Sequence, residues 1–511
     1  MHSRVHAGCL VGIEARPVEV EVHLGKGLPG FDIVGLPEAA VKESRVRVRA
    51  ALAVGGYELP PRHVVLNLAP ADLKKRGASF DLAIAVAVLS ANGMCAPNLL
   101  GDTLLVGELS LAGELRAVRG VLPLLAGARD RGLERAIVPL ASAAEAQLAT
   151  DLDVRTARTL DEVVGFLSGE GELPRARDAA GAAAQDAEEV DVDLGEVRGQ
   201  ESARRAIEIA AAGGHHVLLV GPPGAGKTML ARRLPGVLPR PTDAEQRAIA
   251  TIASAAGFGP ARPGERPFRA PHHTASAVAL VGGGDPVRPG EVTLAHAGVL
   301  FLDELPEFHR AAIESLRTTM ESGVAVVARV RDRVTMPARP LVVAAMNPCP
   351  CGYAGDSGRM CTCAPARIEA YRARISGPLL DRFDLQVWLP PVRVRELGQG
   401  EPAEPSRAVR QRVVAARRRA AQVEPEPTSA NPARTFARDL EALAPEARPL
   451  LERAGESLGL SMRGLARALR VARTISHLEG SDRVQSGHVA EALQYRLFDR
   501  PASVPAVERR S

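Results

Sequence analysis

At 511 residues the chain is too long for one ordinary hydrophobic core and is expected to form about three domains. Its 46% hydrophobic and 24% charged residues are those of a folded globular protein. No apolar run approaches the roughly 18 residues that cross a bilayer, and the opening MHSRVHAGCLVGIEARP has no secretory signal, so a cytoplasmic protein with no membrane partner is expected. A net charge of +4 is too small to announce a nucleic-acid binder, so any basic surface must be local.

In chain order, the first half alternates short apolar runs, VVLNLAP (64–70) and LLVGELSL (104–111), with the helical AAVKESRVRVRAAL (39–52), a mixed α/β pattern. Residues 171–190 are Ala-rich and polar with no face to bury, as in a linker. A second break falls near GQGEPAEPSR (398–407). After it come VRQRVVAARRRAAQ (409–422), whose Arg-rich face is expected to be solvated, and helices to the end. The expected division is therefore 1–170, 171–190, 191–397 and a helical 398–511.

The second half opens on the strand HHVLLV, which runs into GPPGAGKT and then the helical MLARRL. This is a phosphate-binding loop in its required strand–loop–helix setting. Gly221, Pro222, Pro223, Gly224, Ala225 and Gly226 curl so that successive N–H groups face phosphate oxygens. Lys227 reaches the β and γ phosphates, and Thr228 holds Mg²⁺. The expected ligands are ATP and Mg²⁺.

About 75 residues later, VLFLDELPEF is a buried strand ending in two carboxylates. Beside bound phosphate such a pair serves a metal and a water, so Asp303 is assigned to Mg²⁺ and Glu304 to the attacking water. The strand PLVVAAMNP ends in Asn347, placed to position that water. RISGPLLDRFDL presents Arg382 where a cation would reach a neighbouring subunit's nucleotide, the alternative being a local ion pair with Asp381 or Asp384. On LSMRGLARALRVARTISHLEG, Arg463 is the candidate second sensor, with Arg467 and Arg470 as alternatives.

Four cysteines, Cys349, Cys351, Cys361 and Cys363, form C-P-C-x9-C-T-C. In a reducing compartment two such pairs suggest structural Zn²⁺, against free thiols or a redox pair. Residues 324–336, VAVVARVRDRVTM, alternate as a hairpin around Arg329, Arg331 and Arg333, side chains able to track DNA phosphates. The alternative is a surface hairpin that only stabilises the protein. A Gly-rich insertion, HHTASAVALVGGGDPVRPG (272–290), lies between the phosphate loop and the Asp-Glu strand.

PFRAPHHTASAVALVGGG, GEVTLAHAGVLFLDELPEF, VVAAMNPCPCGY and RISGPLLDRFDL resemble the magnesium-chelatase-like AAA+ ATPases of the ComM/YifB type. The likeness extends to LPGFDIVGLPEAAVKESRVRVRAAL and VVLNLAPADLKKRGASFDLAIA in the first half. The resemblance implies an N-terminal Lon-protease-like α/β domain, an AAA+ P-loop core and a C-terminal helical lid, assembled as a hexameric ring. It further implies a DNA helicase that drives branch migration on single-stranded or branched DNA in recombination or natural transformation. The rival class is a chelatase-type or MoxR-type ATPase that remodels a protein partner or assists metal insertion. In the Lon-like region Ser79 matches the serine position, but the lysine position falls near Val121 and no lysine occurs from 76 to 170. A serine without a base is a poor nucleophile, so an inactive scaffold is expected there.

Overall fold

The computed structural model describes residues 2–26, 28–58, 62–95, 99–180, 192–259, 262–328, 333–356, 358–391, 403–423 and 432–496. Two sheets organise these residues. The first has seven strands in the spatial order Gly30–Val34, His63–Ala69, Glu14–Gly25, His2–Val11, Thr103–Leu105, Arg135–Pro139 and Asp153–Ala157. Its centre is the long antiparallel hairpin pairing His2 with His23 through to Val11 with Glu14; the last three strands run parallel. The helix Asp81–Ala91, DLAIAVAVLSA, is apolar on nearly every face and is buried along almost its whole length. Its one charge, Asp81, is fully buried and held bidentate by Arg47 at 2.6 and 3.0 Å, which offsets the cost of burying a carboxylate.

The second sheet is all parallel, in the order Phe268–Arg269, Val299–Leu302, Leu341–Met346, Val217–Val220, Leu385–Trp388. Continuous apolar strands such as VLLV and LVVAAM suit a parallel sheet covered on both faces. Alternate residues serve different cores. Val217, Leu219, Val343 and Ala345 join one cluster with the C-terminal helices, while Leu218, Val220, Val342 and Ala344 join another with the helix Arg310–Ser322. The C-terminal helices thus share a continuous core with the sheet's first face.

The Arg-rich helix Ser406–Val423 keeps Arg407, Arg412, Arg418 and Arg419 exposed, yet three of its arginines also bond to backbone carbonyls of other helices. Arg410 donates to the Gly236 carbonyl at 2.7 Å, Arg417 to Ala211 at 2.7 Å and Arg419 to His477 at 2.8 Å. Each acceptor lies in the last turn of a helix, Lys227–Val237, Glu201–Gly213 and Met462–Leu478 respectively. Last-turn carbonyls lack an intrahelical partner and carry the negative end of the helix dipole, so guanidinium groups satisfy them and tie three helices together. Sequence periodicity registers an arginine face but not the carbonyls that will meet it.

The stretch expected to be a linker begins with packed residues. Leu173 and Ala176 are buried, and Thr156 donates to the Pro174 carbonyl at 2.9 Å. Residues 181–191 lie outside the described residues. The N-terminal unit also touches the second sheet's surroundings. Leu122 N–H donates to Ser254 Oγ at 3.2 Å, and Arg76 pairs with Glu38 at 2.7 Å and with Asp285 of the Gly-rich insertion.

Candidate nucleotide site

The strand Val217–Val220, fourth in the second sheet, delivers Gly221 to the sheet's carboxyl edge, and the helix Lys227–Val237 leaves from the far side of the loop. Gly224 and Gly226 adopt φ of 79° and 87°, a left-handed conformation that turns backbone N–H groups toward one concavity and that glycine takes without strain. Lys227 Nζ donates to the Gly221 carbonyl at 2.7 Å, the Pro222 carbonyl at 2.9 Å and Asn347 Oδ1 at 3.1 Å. These oxygens stand in for the phosphate oxygens that a loop of this kind binds. Burial lowers the Lys227 pKa from its usual value, while Asp303 and Glu304 oppose the shift.

Two further strands bring the remaining groups alongside. Val299–Leu302 ends at Asp303, whose Oδ2 accepts from Thr228 Oγ at 2.9 Å. A hydroxyl beside a half-buried carboxylate is a donor set suited to Mg²⁺, a hard cation that keeps several waters and takes one or two protein oxygens. Leu341–Met346 ends at Asn347, and the pairing of this strand with Val217–Val220 sets Asn347 beside Lys227. Glu304 has a φ of 52°, rare for a non-glycine residue, and its exposed carboxylate meets His273 Nδ1 at 3.1 Å. His273 itself packs at a tilt against His272, with ring centroids 4.1 Å apart, and lies edge-on to Phe308 at 6.5 Å. The His273 contact was not anticipated; its one sequence signal was the paired histidines that open the Gly-rich insertion.

The two arginines lie elsewhere. Arg382 is buried and pairs with Glu321, while also donating to the Pro378 carbonyl. The expected local partners do not take it: Asp384 is engaged by Arg467 at 3.1 Å and His215 at 3.5 Å, and although burial raises its pKa, the His215 hydrogen bond and the Arg467 charge hold its carboxyl well below the usual range. Arg463 is exposed in the first turn of Met462–Leu478, whereas Arg467, one turn on, is committed to Asp384.

Of the hairpin arginines, Arg329 and Arg331 lie outside the described residues, and Arg333 is exposed. Val324–Ala328 pairs with Arg333–Pro337, and the second strand alternates exposed Arg333 and Thr335 with buried Val334 and Met336. Val334 packs against the Gly12 turn of the N-terminal sheet, and Met336 against Gly282 of the insertion. Cys349, Cys351, Cys361 and Cys363 converge, their sulfurs all within 4.8 Å of one another.

A phosphate loop following one strand of a parallel sheet, with an asparagine ending the adjacent strand and an acidic pair ending the strand beyond it, defines an ATPase core of the AAA+ class. The sequence model described as "Magnesium chelatase, subunit ChlI" matches residues 193–397; related models of the same subunit match 20–142 and, for its C-terminal part, 403–496. The chain is 44% identical over 508 residues to the uncharacterized protein YifB of Escherichia coli, covering 98% of this chain and 97% of that protein. It is 42% identical over 506 residues to the competence protein ComM of Haemophilus influenzae, covering 97% of each. An uncharacterized Mycobacterium tuberculosis protein is 42% identical over 500 residues, 95% of this chain and 96% of that one. The chain belongs to the ComM/YifB family of magnesium-chelatase-like AAA+ ATPases. Among the described residues no helix is long and apolar enough to cross a membrane.

Proposed function

We propose that the protein is a ring-forming ATP-driven DNA motor that promotes branch migration. The observation that carries this reading is the join between hairpin and hydrolysis site. The hairpin bearing Arg333 packs through Met336 on the insertion that contains His273, and His273 meets Glu304. A cation contacting a DNA phosphate on the hairpin is thereby linked through packed residues to the carboxylate assigned to the attacking water.

In the proposed mechanism MgATP supplies the phosphoanhydride that is cleaved. Lys227 and the backbone of residues 221–226 hold its phosphates, and Thr228 and Asp303 hold the Mg²⁺. Glu304, once it leaves His273, accepts a proton from water, and Asn347 orients that water. Arg382, once it leaves Glu321, serves the site of the next subunit in a hexamer, and Arg463 reaches the nucleotide from the lid. The N-terminal unit serves as a scaffold, a role supported by the contact of its Gly12 turn with the hairpin.

The chelatase descriptions of the matching family models favour a second reading, an ATPase that remodels a protein partner or assists metal insertion. Hydrolysis measured with and without four-way or forked DNA separates the two. The DNA motor is expected to show stimulation of severalfold or more, and Arg333→Ala to weaken DNA binding and reduce the salt slope by about one phosphate contact. Hydrolysis indifferent to every DNA structure, with no DNA binding at low salt, overturns the motor reading.

A further inference from the structure

We infer that Cys349, Cys351, Cys361 and Cys363 bind one Zn²⁺, and that this ion fixes the loop carrying them against the nucleotide site, so that zinc and ATP strengthen each other's binding. The second half of the inference rests on the reading of residues 221–228 as an ATP site.

The sulfur geometry is the starting point. Cys349 Sγ lies 3.3 Å from Cys351 Sγ and 3.7 Å from Cys361 Sγ, and Cys351 lies 3.5 Å from Cys361. Four thiolates bound to one zinc at about 2.3 Å stand about 3.8 Å apart at tetrahedral angles. A disulfide needs about 2.05 Å, and all four cysteines are free. Backbone N–H groups donate to two of the sulfurs, Ala354 to Cys349 at 3.3 Å and Cys363 to Cys361 at 3.4 Å. Four soft sulfur donors select zinc over Mg²⁺ or Ca²⁺, and a closed four-sulfur set leaves no open position for catalysis.

The coupling follows from where this loop lies. No helix or strand is present among the described residues between Met346 and Pro365, so regular backbone pairing does not hold the segment in shape. Cys349 is two residues past Asn347, the group that meets Lys227. Gly352, between the two cysteine pairs, has a φ of 88° and passes so close to the phosphate loop that an added Cβ would lie 2.7 Å from Pro223 Cδ. The metal loop therefore touches the nucleotide site twice, through the Asn347 strand end and through Pro223. An ion that holds the loop in this arrangement lowers the cost of ordering the site for ATP. By linkage, ATP then retains zinc by the same factor.

Full-length protein purified without chelators tests both halves. Elemental analysis is expected to find about one zinc per chain. Competition with a chromogenic chelator is expected to show zinc held about tenfold more tightly with a non-hydrolysable ATP analogue than without it. Cys361→Ser should lose the metal. Gly352→Ala should retain zinc but lose the enhancement, because its methyl group displaces the loop from Pro223; Cys9→Ser should behave as wild type. The wild-type measurements stand even if Cys361→Ser fails to fold. Absence of zinc from the wild-type protein, grown with zinc and kept reduced, overturns the site. Zinc affinity unmoved by the analogue, in samples shown to bind it, overturns the coupling and leaves the site standing. Failure of the zinc-loaded wild type to bind the analogue overturns the ATPase reading and with it the coupling, while the zinc content still judges the site.

Discussion

Each of the two α/β units contains a lysine whose pKa is lowered by burial, the half-buried Lys227 in the second sheet's phosphate loop and the fully buried Lys75 beside the first sheet. Lys227 has three oxygen partners, one of them the side chain of Asn347, and two carboxylates close enough to oppose its shift. All of this is arranged at a loop whose Pro223 and Gly224 are exposed. Lys75 is fully buried, donates to the Pro70 carbonyl and has the buried thiol Cys9 and Asp72 as its raising influences. One ammonium is set where an incoming anion can replace its partners; the other is enclosed by the protein that satisfies it. Burying a charge is costly in both places, and only the first arrangement gives that cost a ligand to serve.

The comparison extends to the strand ends. In the second sheet they present Asp303, Asn347 and the phosphate loop. In the first unit Ser79, half-buried, uses its backbone carbonyl to accept from Gly107, and Val121, at the position where a Lon-like lysine is expected, is 0% exposed in an apolar cluster. The Val121 side chain sits among apolar neighbours.

The largest effect that would break this contrast is at Lys227. Lys227→Ala is expected to reduce ATP affinity by about a hundredfold or more, while Glu304→Gln should bind ATP near normally and hydrolyse it about 10²- to 10³-fold more slowly. Equilibrium binding and steady-state turnover check both, and normal turnover by Glu304→Gln would remove the assignment of the catalytic carboxylate.

Of comparable size is Arg382→Ala, expected to bind ATP but to lose hydrolysis by about 10³-fold if its guanidinium serves a neighbouring site. Mixing inactive Arg382→Ala chains with inactive Lys227→Ala chains should restore part of the activity, because an intact phosphate loop can then face an intact arginine. No recovery in demonstrated mixed assemblies would show that Arg382 acts only through its Glu321 pair within one chain.

The smallest functional effect belongs to the enclosed lysine. Lys75→Met should leave ATP affinity and turnover within about twofold, yet destabilise the protein by about 1–3 kcal/mol because the Pro70 carbonyl loses its donor. Denaturant unfolding followed beside ATPase assays separates the two readouts. A turnover loss as large as that of Glu304→Gln would give the first unit a part in the chemistry.

The sequence alone carried the phosphate loop, the Asp303–Glu304 pair and Asn347, because each is a short signal, a glycine run or a polar ending on an apolar strand, whose geometry follows from backbone rules. It also carried the family likeness and the cysteine spacing. Only the tertiary structure joined residues far apart in the chain: His273 to Glu304, Arg382 to Glu321 and Arg467 to Asp384. The Arg-rich helix shows the limit most clearly. Its composition is that of a solvated face and most of its arginines are exposed, but Arg410, Arg417 and Arg419 meet carbonyls at the ends of three other helices, groups that every residue carries and that no side-chain pattern records. Local backbone geometry is written in adjacent residues, whereas the partner of a buried charge is decided by whichever element packing brings within about 3 Å of it.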